Sequence, residues 1–219
     1  MVFSPNGRLL ATAETRTGTV ALYAVRGSSL EEVGHSPNCN QPDALAFSPG
    51  GRVLAVANTE AGAVCILTVR GTRLGRKPVR YYTGPMITKP VDNKPTSVAF
   101  SPGGGLLAAA NATAHSVALF TVHGSRLKKV PRSPFSIGSR SNPQTVAFSP
   151  RGGLLAVTGG TADDVSLAHA SAAGLKQLAG SPFSTGSRSQ PKGLAFSPGG
   201  GLLSTTDPGT VSVWALSSP

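Results

Sequence analysis

The residues of this chain that could do chemistry are few and scattered. His35, His115, His123 and His169 could serve as general bases or metal ligands. A metal site would need ligands at i, i+2 or i, i+4 spacing, which no two of these histidines have. Each therefore reads as an ordinary surface or edge histidine. Asp163-Asp164 is a pair of adjacent acids, but a calcium loop needs several oxygens at alternating positions, so the pair reads as solvated loop charge. There is no Gly-x-Ser-x-Gly elbow and no Gly-x-x-x-x-Gly-Lys phosphate loop. The glycine triplets at 103–105 and 199–201 read as turns, because a phosphate cradle would need a following helix. Cys39 and Cys65 lack metal-ligand spacing and are expected as two isolated free thiols, with a disulfide open to them only if the fold brings them close. No catalytic set, cofactor or metal is expected from these residues.

The elements that carry these residues repeat. Phe-Ser-Pro, followed by glycine and a Leu/Val-rich run, begins at Phe3, Phe47, Phe100, Phe148 and Phe196, at intervals of 44, 53, 48 and 48 residues. Regular recurrence of a whole motif marks one supersecondary unit used repeatedly. Each unit divides into four strands. Strand A ends in the phenylalanine, as in Thr145-Val146-Ala147-Phe148. Ser-Pro-x-Gly then turns the chain, with proline presetting φ and glycine supplying a positive φ. Strand B is a nearly continuous apolar run, as in Leu154-Leu155-Ala156-Val157, suited to burial on both faces. Strand C alternates, as in Val64-Cys65-Ile66-Leu67, and strand D is short and charged, as in Leu127-Lys128-Lys129-Val130. Strand D is expected outermost, where an edge needs charge.

The predicted fold is all-β: a β-propeller of about five four-stranded blades, the last lacking its outer strand, spanning 1–219 as one domain, and either a ring of its own or a fragment of a larger propeller. The units run approximately 1–42, 43–95, 96–143, 144–191 and 192–219. The open edge of the last blade is expected to favour self-association. Connectors 133–141 and 181–189 are nearly identical, whereas the second connector, around Tyr81, Tyr82 and Met86, is longer and different.

The Phe-Ser-Pro-Gly-Gly-x-Leu-Leu-Ala unit, the Ala-Asn after strand B (Ala57-Asn58, Ala110-Asn111) and the Val-x-Leu-Phe strand C resemble the YVTN-type repeats of lactonase-like bacterial β-propellers. The resemblance covers essentially the whole chain. It implies four-stranded blades with strand A lining a central channel, and usually seven blades where this chain has five. Some members resemble 6-phosphogluconolactonase and hydrolyse a sugar lactone. No active-site signature of the family can be placed on residues of this chain.

Charge is the least bland feature of the composition. The formal net charge is +11. In the expected topology the A–B and C–D turns share one face, which collects twelve basic residues against Glu31 and Glu32. The opposite face, of the D–A and B–C loops, carries Lys89, Lys94, Arg140, Arg188 and two further basic residues against seven acids, Asp43, Asp92 and Asp163 among them. A field concentrated on one side would attract polyanions in a salt-dependent way, with Arg70, Arg73, Arg126, Lys128 and Lys129 as the expected binding residues. Aromatics are only 5% of the chain, so base stacking is not expected.

No run approaches the ~20 apolar residues of a membrane span. Met1 leads straight into the inside of a repeat unit, so the chain as it stands is expected in the cytoplasm, and exported if an upstream signal is missing. The functional expectation is a non-catalytic interaction scaffold with a protein or polyanionic partner. The alternatives are a lactonase-like hydrolase working in the channel and polyanion binding through the basic face. The hydrolase reading would lose support if strand A presented only apolar and small residues such as Leu45-Ala46 and Val146-Ala147.

Overall fold

The computed structural model describes residues 1–36, 39, 41–84, 93–138, 141–161, 163–186 and 190–216. Lys89, Asp92, Arg140, Arg188 and the Met86 part of the second connector lie outside the described residues. Among those described there is no helix; the chain forms five antiparallel sheets in sequence order. The first blade contains β1 (Val2–Phe3), β2 (Leu9–Glu14), β3 (Thr19–Arg26) and β4 (Ser29–Ser36). The second contains β5 (Pro42–Phe47), β6 (Val53–Asn58), β7 (Ala63–Arg70), β8 (Arg73–Leu74) and β9 (Val79–Tyr82). The third contains β10 (Pro95–Phe100), β11 (Leu106–Asn111), β12 (Ser116–His123), β13 (Arg126–Lys129) and β14 (Phe135–Ser136). The fourth contains β15 (Pro143–Phe148), β16 (Leu154–Gly159), β17 (Asp164–Ser171), β18 (Gly174–Gln177) and β19 (Phe183–Ser184). The fifth has only β20 (Gly193–Phe196), β21 (Leu202–Asp207) and β22 (Thr210–Ala215). The first strands, β1, β5, β10, β15 and β20, lie along one edge of their sheets and against one another, which makes them the inner strands of a propeller.

The Phe-Ser-Pro-x-Gly motif is explained by its hydrogen bonds. The serine carbonyl accepts from the glycine N–H at 2.8–2.9 Å in all five turns, and the glycines sit at φ of 66–72°. In four turns the serine hydroxyl also accepts the first N–H of the next strand, as in Leu106 N to Ser101 Oγ at 3.0 Å. Each turn glycine after the first lies over the proline ring of the preceding blade, at 3.5–3.9 Å from its Cδ to an ideal Cβ. The motif therefore both turns the chain and spaces the blades.

Blades pack through alternate residues of strands B and C. Val53, Ala55, Val64 and Ile66 of the second blade meet Leu107, Ala109, Ala118 and Phe120 of the third in one buried cluster. Burying side chains such as Ile66 or Leu107 contributes about 1.5–3 kcal/mol each. The nearly identical connectors turn out to be part of the blades. Strand D is split in the second, third and fourth blades: β9, β14 and β19 pair with the same strand C as β8, β13 and β18. Connector serines seal the break, Ser133 Oγ accepting Leu119 N–H at 2.9 Å and Ser181 Oγ accepting Leu167 N–H at 2.8 Å. The two thiols are also not isolated. Cys39 and Cys65 are fully buried in one cluster between the first two blades.

Candidate functional site at the channel mouth

Each inner strand of the middle blades begins with a residue, a proline and a polar residue: Gln41-Pro42-Asp43, Lys94-Pro95-Thr96, Asn142-Pro143-Gln144 and, ahead of the last blade, Gln190-Pro191-Lys192. The residue before the proline has a positive φ of 39–46° in all four. The residue after it is extra to the ladder in three. Pro42 pairs with Asn58 and Ala44 with Ala57, leaving Asp43 as a bulge. Pro95 pairs with Asn111 and Ser97 with Ala110, leaving Thr96. The same break occurs between Pro143 and Val146, where Gln144 lies. Bulges bend a strand and re-aim its side chains, and they recur beside active sites. Here one repeat position presents a carboxylate, a hydroxyl, an amide and, at Lys192, an ammonium. Asp43 and Lys192 are exposed, and Thr96 and Gln144 are half-buried.

Hydrogen bonds between blades fix this series. Thr59 Oγ1 lies 3.1 Å from Asp43 Oδ2 and 3.2 Å from the Pro95 carbonyl, joining the second blade to the third. Thr96 Oγ1 reaches the Pro143 and Gln144 carbonyls at 3.1 and 3.3 Å. Thr145 Oγ1 donates to the Lys192 carbonyl at 2.5 Å. Two B–C loop residues cap the strained residue before the proline in the next blade. His115 Nδ1 accepts Asn142 N–H at 3.0 Å, and Asp163 Oδ1 accepts Gln190 N–H at 2.8 Å. His115 and Asp163 thus work between blades; they are neither plain surface charge nor members of a metal cluster, of which there is none among the described residues. Asp164 beside them is half-buried, and burial, with the Asp163 charge second, raises its carboxyl above the ordinary range.

The expected basic residues lie at the other ends of the strands. Arg70 and Arg73 face each other across the β7–β8 hairpin, and Arg126 pairs with His123 at the corresponding hairpin of the third blade. Arg70, Arg73, Arg126 and Lys128 are exposed. Lys129 points elsewhere: its Nζ donates to the Gly84 carbonyl at 2.8 Å, and burial lowers its pKa. His35 lies 3.5 Å from Glu32, and His123 and His169 are exposed. Sequence reasoning passed over Asp43, Thr96, Gln144 and Lys192 except as counted charges. The signal was present as four different polar residues at one position of a repeat whose neighbouring Ala-Phe-Ser-Pro is constant.

No family model matches the chain, and no curated protein matches it. Solved structures do. A candidate 6-phosphogluconolactonase from Bacteroides uniformis superposes with a TM-score of 0.82 at 18% identity, over 99% of this chain and 66% of that one. The periplasmic gluconolactonase of Pseudomonas aeruginosa gives 0.80 at 21%, over 98% and 67%. A candidate 6-phosphogluconolactonase from Bacteroides fragilis gives 0.81 at 15%, over 98% and 66%. The fold is that of the lactonase-like β-propellers. This propeller spans about two thirds of the length of the structures it matches. The expectation of a non-catalytic scaffold is corrected by these neighbours, which favour the lactonase alternative. The bulges add Asp43, Thr96 and Gln144 to the otherwise apolar and small residues of strand A, at its start.

Proposed function

We propose that this propeller hydrolyses a sugar lactone at the mouth formed by the starts of β5, β10 and β15 and by Lys192. The observation that carries the reading is the bulge position, which holds different polar groups in successive blades of an otherwise regular scaffold. The names of the structural neighbours support it. Lactone hydrolysis adds water to the ester carbonyl and breaks the ring C–O bond, giving a hydroxy acid. Asp43 is the candidate base that takes the proton from water as its oxygen bonds to the carbonyl carbon. Lys192 is the candidate cation for the oxyanion or for a phosphate on the sugar, with Lys94 beside the same mouth. Thr96 and Gln144 supply hydrogen bonds for sugar hydroxyls. The test is acid release in a pH-stat from gluconolactone and 6-phosphogluconolactone. Saturable release above the buffer rate is expected, and only the buffer rate with either lactone would refute the reading.

A second reading, polyanion binding through Arg70, Arg73 and Arg126, is favoured by one observation. Arg70 and Arg73 stand directly opposite each other, a like-charge arrangement that is unfavourable without a counter-charge.

A further inference from the structure

The chain has two cysteines, and the fold brings them together. Cys39 lies in the first connector, its N–H donating at 3.0 Å to the carbonyl of Gly18, in the turn between β2 and β3. Cys65 lies on β7 of the second blade, between Val56 and Arg80 in the ladder. Both have no exposed surface. The repeat explains the meeting. Thr83, Ile137 and Thr185 make the same connector bond as Cys39, to the carbonyls of Gly62, His115 and Asp163. Ala118 and Ser166 occupy the strand position of Cys65 in the next two blades, and Ile137 and Ser166 line one cavity at their seam. The contact is thus a standard inter-blade contact, filled with sulfur on both sides only at the first seam.

The surroundings divide the proton unequally. The Cys39 thiol is placed to donate to the Cys65 sulfur, and Asn58 Nδ2 donates to Cys65 Sγ at 3.6 Å. The bond from Cys39, with Asn58 and the Arg80 guanidinium, brings Cys65 down to about 7 despite burial, while the bond to Cys65 and burial push Cys39 up. With the Asn58 amide and Arg80 beside it, Cys65 is the sulfur that gives up its proton more readily, and Cys39 the one that keeps it.

We propose that Cys39 and Cys65 form a redox-controlled disulfide that fastens the first blade to the second, with a peroxide as the oxidant. Cys65 first gives its proton to water; its thiolate attacks one peroxide oxygen, the O–O bond breaks, Cys65 becomes a sulfenic acid, and the departing hydroxide takes up that proton and leaves as water. Cys39 sulfur then attacks Cys65 sulfur, and the released hydroxide takes the Cys39 proton to leave as a second water. Two thiols and one hydrogen peroxide give one disulfide and two waters. The thiolate is the attacking form.

The test treats the full chain with hydrogen peroxide, then denatures it and alkylates it with iodoacetamide before intact-mass analysis. The expected product is one chain lighter by the mass of two hydrogens, taking no iodoacetamide, and returning to two alkylated cysteines after dithiothreitol. Two alkylated cysteines after peroxide, oxygen adducts that dithiothreitol does not reverse, or chains cross-linked to one another would overturn the proposal. Cys39→Ser adds a check on the order of attack. Peroxide and dimedone together should label Cys65 in that variant, and Cys65→Ser should leave Cys39 unlabelled. Labelling in the reverse order contradicts the assignment of Cys65. The wild-type mass result needs neither variant to fold.

Discussion

His115 offers a quantitative test of how the mouth is held. Its Nδ1 accepts the Asn142 N–H at 3.0 Å, and it pays for that position with a φ of 48°. Removing the ring leaves a half-buried N–H without its acceptor, which costs about 1–3 kcal/mol. His115→Ala keeps the left-handed backbone and should lose that full amount. His115→Gly loses the same bond but relieves the left-handed strain, roughly 1–2 kcal/mol, so it should fall short of the alanine loss by about that much. His115→Asp should recover most of the stability, because Asp163 does the same work on Gln190 N–H at 2.8 Å with a φ of 52°. Urea unfolding at several concentrations, followed by circular dichroism, gives the three differences. An aspartate no better than alanine, or a glycine worse than alanine, would refute the capping argument.

Other expectations follow from charge and exposure. Asp164 holds its proton more tightly folded than unfolded, so its contribution is fully present below the unfolded carboxyl pKa and is lost as pH rises through the raised folded value. Asp164→Asn should therefore stabilise the protein at neutral pH and lose that advantage by roughly pH 3, as thermal melts across pH would show. Reversing charge at Arg70, Arg73 and Arg126 together should abolish retention on a heparin column; unchanged retention removes the polyanion reading. Val211 and Val213 are 67% and 59% exposed, whereas their repeat equivalents Val165 and Leu167 are 1% and 3%. Burial of that face between copies predicts a concentration-dependent mass in sedimentation that Val211→Lys with Val213→Lys removes; a mass unaffected by the substitutions would speak against it.

The three inner strands of each blade and the turns between the first two could be read from the chain because they depend on local chemistry repeated five times. Serine, proline and glycine at fixed offsets specify a turn wherever they occur. The mouth was harder to read. Asp43, Thr96 and Gln144 look like ordinary strand beginnings, and only the pairing partner on β6, β11 or β16 reveals the extra residue. The residue before a proline is expected to be extended, so the positive φ of Gln41, Lys94, Asn142 and Gln190 runs against the local rule. At Asn142 and Gln190 it is held by a side chain from another blade. The split outer strand was hidden for a related reason: Phe135 and Phe183 lie in stretches rich in turn residues and become strands through pairing with β12 and β17. The Cys39–Cys65 contact crosses blades, and no spacing in the sequence encodes it.

The central claim is that chemistry occurs at the mouth and not on the basic face. The most direct measurement compares kcat/KM for one sugar lactone in two variants, Asp43→Asn and the double Arg70→Glu, Arg73→Glu. Loss of a general base predicts a fall of about 10²–10⁴-fold for Asp43→Asn with folding intact, and no change for the arginine variant. Full activity in Asp43→Asn, or loss confined to the arginine variant, would contradict the account.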